Sequence, residues 1–249
     1  MFTDLGISSL GKYAIFLYRS FTNREKMSVY WRLFVEECMI VGIDSVLIVV
    51  LSSSFIGAVT AVQSTYNLVS PLIPLYIIGT VVRDMTVIEL APTVTALIFA
   101  GKVGSNIAGH LGTMRITEQI DALEVMGINA TSYLVLPKVV ASVAMYPLLV
   151  CIAGFLSILG GYAAGTFLDL YTPEEYIFGI RSQFKEFNVY FALIKAVTFA
   201  FLISSISAYK GFYANGGALE VGIASTQAVT NSCIALLVAD YALAQLFLG

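Results

Sequence analysis

Long runs without a charged residue divide the chain and predict helices that cross a membrane. No charged residue occurs between Ser45 and Val82, or between Val139 and Leu168. About 20 mostly apolar residues form a helix long enough to span ~30 Å of hydrocarbon. These runs and their shorter neighbours therefore predict five spans, at residues 43–67, 84–109, 138–166, 189–209 and 226–248.

Polar segments lie before the first span and after the third. Residues 1–38 mix apolar side chains with lysines and arginines, which predicts an amphipathic helix region in the membrane interface. An ordinary soluble helical tail is the alternative. Residues 172–186 are polar enough to lie outside the membrane, and Thr172 followed by Pro173 predicts the start of a short outer helix.

The segment between the second and third spans, residues 113–128, predicts a short amphipathic helix that docks onto a soluble partner. One helical face collects the apolar positions Ile116, Ile120 and Leu123, and Gly127 is a suitable stop. A helix lying on the membrane surface is the alternative, but such helices are usually rich in lysine and arginine, and this one is acidic. The polar candidates for contact with the partner are Arg115, Glu118, Gln119, Asp121 and Glu124.

Composition supports an all-α integral membrane protein. Of the 249 residues, 58% are hydrophobic and 12% are charged, whereas soluble domains carry about 25% charged residues. A net charge of -3 without a basic cluster argues against binding to nucleic acid. A single histidine and three scattered cysteines provide no metal-ligand spacing, so the sequence predicts neither a metal site nor a cofactor.

The lysines and arginines predict the orientation of the chain in the membrane. Positively charged residues accumulate in cytoplasmic loops. Placing the N-terminus in the cytoplasm brings most of them to that side and puts the C-terminus outside after five spans. The residues on the predicted cytoplasmic side are Lys12, Arg19, Arg24, Lys26, Arg32, Lys102, Arg115, Lys138 and Lys210.

Small residues recur at four-residue spacing within the predicted spans, as in Gly101, Ser105 and Gly109. Such spacing allows helix backbones to approach each other closely inside a membrane. It predicts close helix packing and a homodimer.

Three charged residues lie at a similar depth below the outer ends of the predicted spans: Glu89, Lys195 and Asp240. The rise of an α-helix places them roughly 8–12 Å from the outer ends of their helices. Charges at this depth are costly unless they pair, so the sequence predicts one intramembrane polar network. Two alternatives remain: Lys195 reaches the outer interface while Asp240 marks a helix end, or the cluster only stabilises the helices.

Two stretches resemble the signature regions of the MlaE-type permease family. The first is ELAPTVTALIFAGKVGSNIAGHLGTMRITEQIDALEVMGINATSYLVLPKVVA, residues 89–141, and the second is KGFYANGGALEVGIASTQAVTNSCIALLVADYALAQLF, residues 210–247. With the intervening spans the resemblance covers roughly residues 30–249. One departure is Ala130, where the family often has proline.

The resemblance implies the membrane subunit of an ABC transporter in the bacterial inner membrane. It implies a homodimer, two cytoplasmic ATPase subunits that dock on a coupling helix at 113–128, and an MCE-domain partner outside. It further implies a phospholipid site near the dimer interface, and it points to the positions of Glu89, Lys195 and Asp240 as a functional network. The chain has no G-x-x-x-x-G-K-[ST] motif, so ATP is expected to bind a separate chain.

The first span and the turn after it offer the apolar candidates for lipid contact: Phe55, Val62, Tyr66, Leu72 and Tyr76. Ordinary core packing or contact with bulk lipid is the alternative for each. A proton-coupled secondary transporter of a lipid-like substrate is the alternative function, although no pair of inverted repeats is evident. An intramembrane enzyme is disfavoured because neither HExxH nor G-x-S-x-G occurs.

Overall fold

The computed structural model describes residues 7–22, 27–68 and 74–248, and every regular element in these ranges is helical. Eleven α-helices are formed by the described residues: α1 Ile7–Phe21, α2 Met27–Cys38, α3 Asp44–Asn67, α4 Tyr76–Met85, α5 Thr95–Phe99, α6 Ser105–Ile116, α7 Gln119–Val125, α8 Ala130–Phe167, α9 Pro173–Arg181, α10 Glu186–Phe212 and α11 Ala218–Leu248. This confirms the predicted all-α class.

Five continuous helical stretches in the described residues are long and apolar enough to cross a membrane: Val29–Asn67, Tyr76–Ile116, Ala130–Phe167, Glu186–Phe212 and Ala218–Phe247. Four of the five predicted spans lie within one of these stretches, and the fifth, 226–248, lies within α11, which ends at Leu248. The helices are longer than the predicted spans, because the backbone hydrogen bonds of each helix continue beyond its apolar residues. The 38 residues of α8 form a helix about 57 Å long, well beyond ~30 Å of hydrocarbon.

The polar segments differ from the prediction in detail. The described part of residues 1–38 contains two helices, and only α1 is separate from the first membrane helix, since α2 runs into it. The predicted helix at 113–128 is broken: residues 113–116 end α6, and α7 forms after Glu118, whose φ of 59° is left-handed. The predicted outer helix 172–186 ends at Arg181, because Ser182 is extended and Gln183 has a φ of 49°.

Three π-helical segments interrupt the first two membrane helices within the described residues: Met39–Ile43, Thr86–Val94 and Ala100–Gly104. The second contains Pro92, which has no N–H to donate to the helix. The hydroxyl of the buried Tyr146 donates to the Pro92 carbonyl at 2.6 Å. Single π-helical turns are rare in proteins, and those that do occur are often found at functional sites.

The described chain divides into two compact units. The first comprises residues within Met1–Ile43, Phe99–Met145 and Phe199–Ala239. In this unit, α1 packs on the end of α10 through the fully buried Phe16. The centroid of the Phe16 ring lies 5.5–5.7 Å from the ring centroids of Tyr209, Phe212 and Tyr213. The Tyr13 hydroxyl also shares a 2.7 Å hydrogen bond with that of Ser205. An aromatic cluster and one polar contact thus fix α1 in the first unit.

The start of α8 holds the N-terminal helices through polar contacts. The Asn129 side-chain amide donates to the carbonyl of Thr22 at 3.0 Å, at the end of α1. The hydroxyls of Tyr30 and Ser132 lie 2.8 Å apart and are buried. Lys138 forms a largely buried ion pair with Glu37. The segment that follows α7 is therefore tied to both α1 and α2.

The second unit comprises residues within Asp44–Ile98, Tyr146–Thr198 and Asp240–Gly249. Here α3 and α8 approach closely because glycines replace larger side chains at their contact. A Cβ at Gly57 would overlap the backbone of Ser157, and a Cβ at Gly160 would overlap that of Ser54. The Ser157 hydroxyl donates to the carbonyl of Ser53 at 2.8 Å across this contact.

We expect Gly57→Ala to destabilise the protein, whereas Gly154→Ala should be tolerated. The added methyl at Gly57 meets backbone that cannot move without separating two helices, and overpacking of this kind costs about 1–3 kcal/mol. At Gly154 the new methyl would lie 3.9 Å from the Ala91 side chain, an ordinary contact. Thermal unfolding in detergent should show a lower midpoint for Gly57→Ala alone; equal midpoints would contradict the close approach of α3 and α8.

A polar cluster secures the outer helix α9 in the second unit. The buried Arg83 guanidinium donates to the carbonyls of Ile180 and Ser182 at 2.7 and 2.6 Å. The helix α9 starts at Pro173 as predicted, and Thr172 and Glu175 form a capping box, in which hydrogen bonds from Thr172 hold the pKa of Glu175 below its ordinary value. Burial raises the pKa of Tyr171 to about 12, and its hydroxyl donates to the carbonyl of Gly161 at 2.6 Å.

Candidate functional site

The three intramembrane charges meet in the second unit around the ammonium group of Lys195. The Lys195 side chain is 0% exposed and lies on α10. Its Nζ donates to Glu89 Oε2 at 2.7 Å and to the carbonyl of Ile88 at 3.2 Å, and it forms an ion pair with Asp240 Oδ1. An ammonium group has three N–H donors, and the Glu89 carboxylate, the Ile88 carbonyl and the Asp240 carboxylate provide one acceptor for each. The residues are brought together from α10, α11 and the π-helical segment Thr86–Val94.

The local sequence explains why Ile88 can serve as an acceptor. In an α-helix, the carbonyl of residue 88 would accept from the N–H of residue 92, but residue 92 is proline. The π-helical turn around Pro92 leaves the Ile88 carbonyl within reach of Lys195. Pro92 and Lys195 therefore act together: the proline leaves the Ile88 carbonyl without its helical donor, and the lysine provides a replacement donor.

Thr93 links the two carboxylates, and the sequence did not identify it. Its hydroxyl lies 3.1 Å from Glu89 Oε1 and 3.4 Å from Asp240 Oδ2. It is four residues after Glu89 in the chain, so it faces the same side of the helix. That spacing was the signal that could have found it.

The three charged side chains of the cluster differ in their exposure. Lys195 is fully buried and the Asp240 side chain is 13% exposed, whereas the Glu89 side chain is 48% exposed. With all three ionised, the cluster carries one net negative charge, and the open part of it is the Glu89 carboxylate. The arrangement can hold a buried cation and accept a hydrogen bond from a group outside the cluster. Buried ion pairs of this kind gain Coulomb energy and lose hydration, so they are weak evidence for stability alone.

The predicted lipid-contact residues of the first span lie on one open face of α3. Phe55 is 71% exposed, Val62 38% and Tyr66 81%. Their spacing continues an exposed apolar stripe that also contains Ile48, Leu51 and Val59. Tyr76 is half-buried, with its ring 5.2 Å from that of Phe178, and Leu72 lies outside the described residues.

The segment 113–128, which we call the connecting segment, is a helix end, a tight turn and the short helix α7. Arg115 at the end of α6 forms an ion pair with Asp121 of α7, with 2.7 Å between Nη1 and Oδ1. Ile120 is fully buried and anchors α7. Gly127, with a φ of 80°, ends α7 as predicted, and the N–H of Ile128 donates to the carbonyl of Leu123.

The surface of the connecting segment combines acidic residues with two exposed apolar side chains. Glu118, Gln119 and Glu124 are exposed, as sequence analysis expected for contact with a partner. Val125 is 89% exposed and Met126 65%, and neither was predicted from the sequence to contact a partner. Their position directly before the terminating Gly127 was the available signal, because residues there project from the end of the helix.

Within the residues that the structure describes, no group of three or more histidine, cysteine, aspartate or glutamate side chains could hold a metal ion. The candidate functional surfaces are the Lys195 cluster, the stripe on α3 and the connecting segment.

Comparisons with known proteins cover nearly the whole chain. The family described as Permease MlaE matches residues 34–246. A probable ABC transporter permease protein of Rickettsia bellii is 37% identical over 239 residues, which are 96% of this chain and 92% of the relative. A probable ABC transporter permease protein of Synechocystis is 32% identical, covering 85% of this chain and 80% of the relative. The chloroplast protein trigalactosyldiacylglycerol 1 of Arabidopsis thaliana is 29% identical, covering 89% of this chain and 63% of that protein.

Proposed function

Because the chain belongs to the MlaE permease family, we propose that it is the membrane subunit of an ABC transporter that moves phospholipids between the bacterial inner membrane and an MCE-domain protein. A permease of an ABC transporter works with an ATPase, so a separate cytoplasmic ATPase dimer supplies the energy. The permease itself acts as a homodimer, with its N-terminus in the cytoplasm and its C-terminus in the periplasm.

The exposed connecting segment is the observation that carries the proposal. A membrane subunit without a nucleotide site needs a surface through which an ATPase can act on it. Val125 and Met126 provide apolar contact area, and the acids around them provide orientation. Because Ile120 anchors α7 and the Arg115–Asp121 ion pair braces it, a push on the connecting segment reaches the end of α6.

Phospholipid as the substrate class is supported by the open stripe on α3. The side chains of Phe55, Val59 and Tyr66 are each more than half exposed, which gives acyl chains a continuous apolar surface. The Arabidopsis relative supports a lipid substrate in general, since its name is that of a glycolipid, which is a different class from phospholipid. In this proposal the Lys195 cluster is the polar element of the transport path, and its open Glu89 carboxylate is available to hydrogen-bond donors of a lipid head group.

The proposal is tested with the transporter purified from its native membrane, whose other subunits are first identified by mass spectrometry. We expect an ATPase and an MCE-domain protein to co-purify. The complex is then placed in vesicles containing fluorescent phospholipid, and transfer of that lipid between the vesicles and the MCE-domain protein is measured in either direction. Transfer should require ATP hydrolysis and should be unaffected by a proton gradient. Transfer driven by the gradient without ATP would instead favour the proton-coupled secondary transporter.

A further inference from the structure

A cavity of about 460 Å³ lies beside the end of α1 in the first unit. It is lined by Arg19 of α1, by Glu124 of the connecting segment and by residues 127–131, which lead into α8. Its volume falls within the range of about 300–1,000 Å³ that is usual for sites that bind small ligands. The stripe on α3, the Lys195 cluster and the exposed side chains of the connecting segment leave Arg19 and the start of α8 without a role.

Thr131 brings to this cavity a hydroxyl that has no partner among the described residues. The residue is only 8% exposed, and its side chain forms no hydrogen bond with another described residue. Threonines inside helices, such as Thr113 and Thr166, donate to the carbonyl four residues before them. Thr131 lacks that acceptor because residue 127 precedes the helix. Buried hydroxyls are nearly always hydrogen-bonded, so this one indicates a ligand in the cavity.

The other polar groups beside Thr131 are donors as well. The Asn129 carbonyl accepts the first helical hydrogen bond of α8, from the N–H of Tyr133 at 2.9 Å. The N–H groups of Ala130 and Thr131 come before it, and the helix provides no acceptor for them. The Arg19 guanidinium is exposed and forms no ion pair or hydrogen bond with another described residue. A helix N-terminus beside a guanidinium favours an anion, and a phosphate group accepts from both.

The packing of α1 places the cavity at the level of the lipid head groups. This helix contacts α10 between Ser205 and Tyr213, and the predicted inner end of that span is residue 209. Its exposed Ile15 and Tyr18, at 55% and 72%, suit the boundary between acyl chains and head groups. The Asn129 amide holds the end of α1 against the start of α8. The phosphate groups of the cytoplasmic leaflet therefore lie at the same level as the cavity.

We propose that the cavity binds the head group of a phospholipid of the cytoplasmic leaflet, whose phosphate accepts from Arg19, Thr131 and the start of α8. Glu124 lines the same cavity, so a zwitterionic head group with a primary ammonium complements both charges, whereas an anionic head group meets the carboxylate unpaired. The inference rests on the cytoplasmic N-terminus of the proposed function. It adds a lipid site built from residues other than those of the α3 stripe and the Lys195 cluster.

Protection of a cysteine from a maleimide tests this inference on the full chain in detergent. In a background whose three cysteines are replaced by alanine, Ile128→Cys places one thiol in the cavity. We expect phosphatidylethanolamine to slow the labelling of this thiol and inorganic phosphate at the same concentration to have little effect, because it has no ammonium group and no acyl chains. Inorganic phosphate that protects as well as the lipid would overturn a lipid as the source of the phosphate.

Variants of the phosphate donors show whether the protection depends on them. A hydrogen bond to a charged group is lost in Arg19→Gln, so the lipid concentration for half protection should rise about tenfold. It should rise about threefold in Thr131→Val, which keeps the bulk of the side chain, and return in Thr131→Ser. The matched control is Lys12→Gln, since Lys12 is an exposed cation about two turns earlier on α1 and does not line the cavity.

The other outcomes separate this inference from the proposed function. Equal protection in Arg19→Gln, Thr131→Val and the control would overturn the inference and leave ATP-driven lipid transfer standing. Protection by phosphatidylglycerol as strong as that by phosphatidylethanolamine would overturn the zwitterionic head group. A thiol that the ATPase shields in the whole complex without added lipid would assign the cavity to the ATPase. Labelling of Ile128→Cys from the periplasmic side of intact cells would overturn both the inference and the proposed orientation of the chain.

Discussion

Replacing Val125 and Met126 together by aspartate is expected to abolish association with the ATPase while the permease still folds. Both side chains are open to solvent, so the change costs the isolated chain little stability. A hot-spot residue of an interface contributes about 2 kcal/mol or more, so loss of one such side chain should weaken the affinity about 30-fold and loss of both on the order of 10³-fold. Co-purification and lipid transport should be lost together, and the thermal midpoint of the permease should not change.

The control for this variant is Ala122→Glu. It adds a negative charge to the connecting segment without removing an exposed apolar side chain, and Ala122 is likewise exposed. We expect its ATPase association to stay close to that of the unmodified chain. Loss in both variants would point to charge rather than apolar contact, and full association in the aspartate double variant would exclude Val125 and Met126 from the interface.

Length and hydropathy were sufficient to predict the membrane helices. The run from Ser45 to Val82 has no charge, and the structure forms α3 and the start of α4 within it. The helix ends were not predictable from the same signal, because a helix continues wherever its backbone hydrogen bonds can be made, whether in lipid or outside it. Hence α8 begins at Ala130, eight residues before the predicted span.

The irregular backbone positions could not be read from the residues. Glu118 adopts a left-handed conformation with a φ of 59°, which glycine or asparagine would have signalled and glutamate does not. The π-helical segment around Pro92 depends on partners distant in sequence, such as Tyr146, whose hydroxyl reaches the Pro92 carbonyl. Sequence pattern records local preference, whereas these features are imposed by tertiary contacts.

The charged residues of the candidate site could be selected from the sequence because charge in a membrane span is rare. Arithmetic on helix rise placed Glu89, Lys195 and Asp240 at similar depths, and the structure brings all three into contact. The same arithmetic carried no information about rotation around each helix. It therefore missed Thr93 and the carbonyl of Ile88, whose contributions depend on which way each helix faces.

Replacing Lys195 by methionine is expected to destabilise the second unit and stop transport. The change keeps the bulk of the side chain but leaves the carboxylates of Glu89 and Asp240 together without their cation. Deleting one partner of a buried ion pair typically costs about 3–5 kcal/mol. Thermal unfolding in detergent should show this loss, whereas Lys185→Ala, at an exposed position, should change little.

Neutralising the whole cluster separates its structural role from its role in transport. In the triple variant Lys195→Met, Glu89→Gln, Asp240→Asn, no unpaired charge is buried, so most of the lost stability should return; replacing an entire buried ion pair is often nearly neutral. Residues in contact give such non-additive effects, and strictly additive effects would mean that the three charges do not interact. Because we propose that the open Glu89 carboxylate serves the transport path, we expect the triple variant to fold and to bind the ATPase but to transfer little lipid. Recovery of both stability and transport would instead assign the cluster a purely structural role.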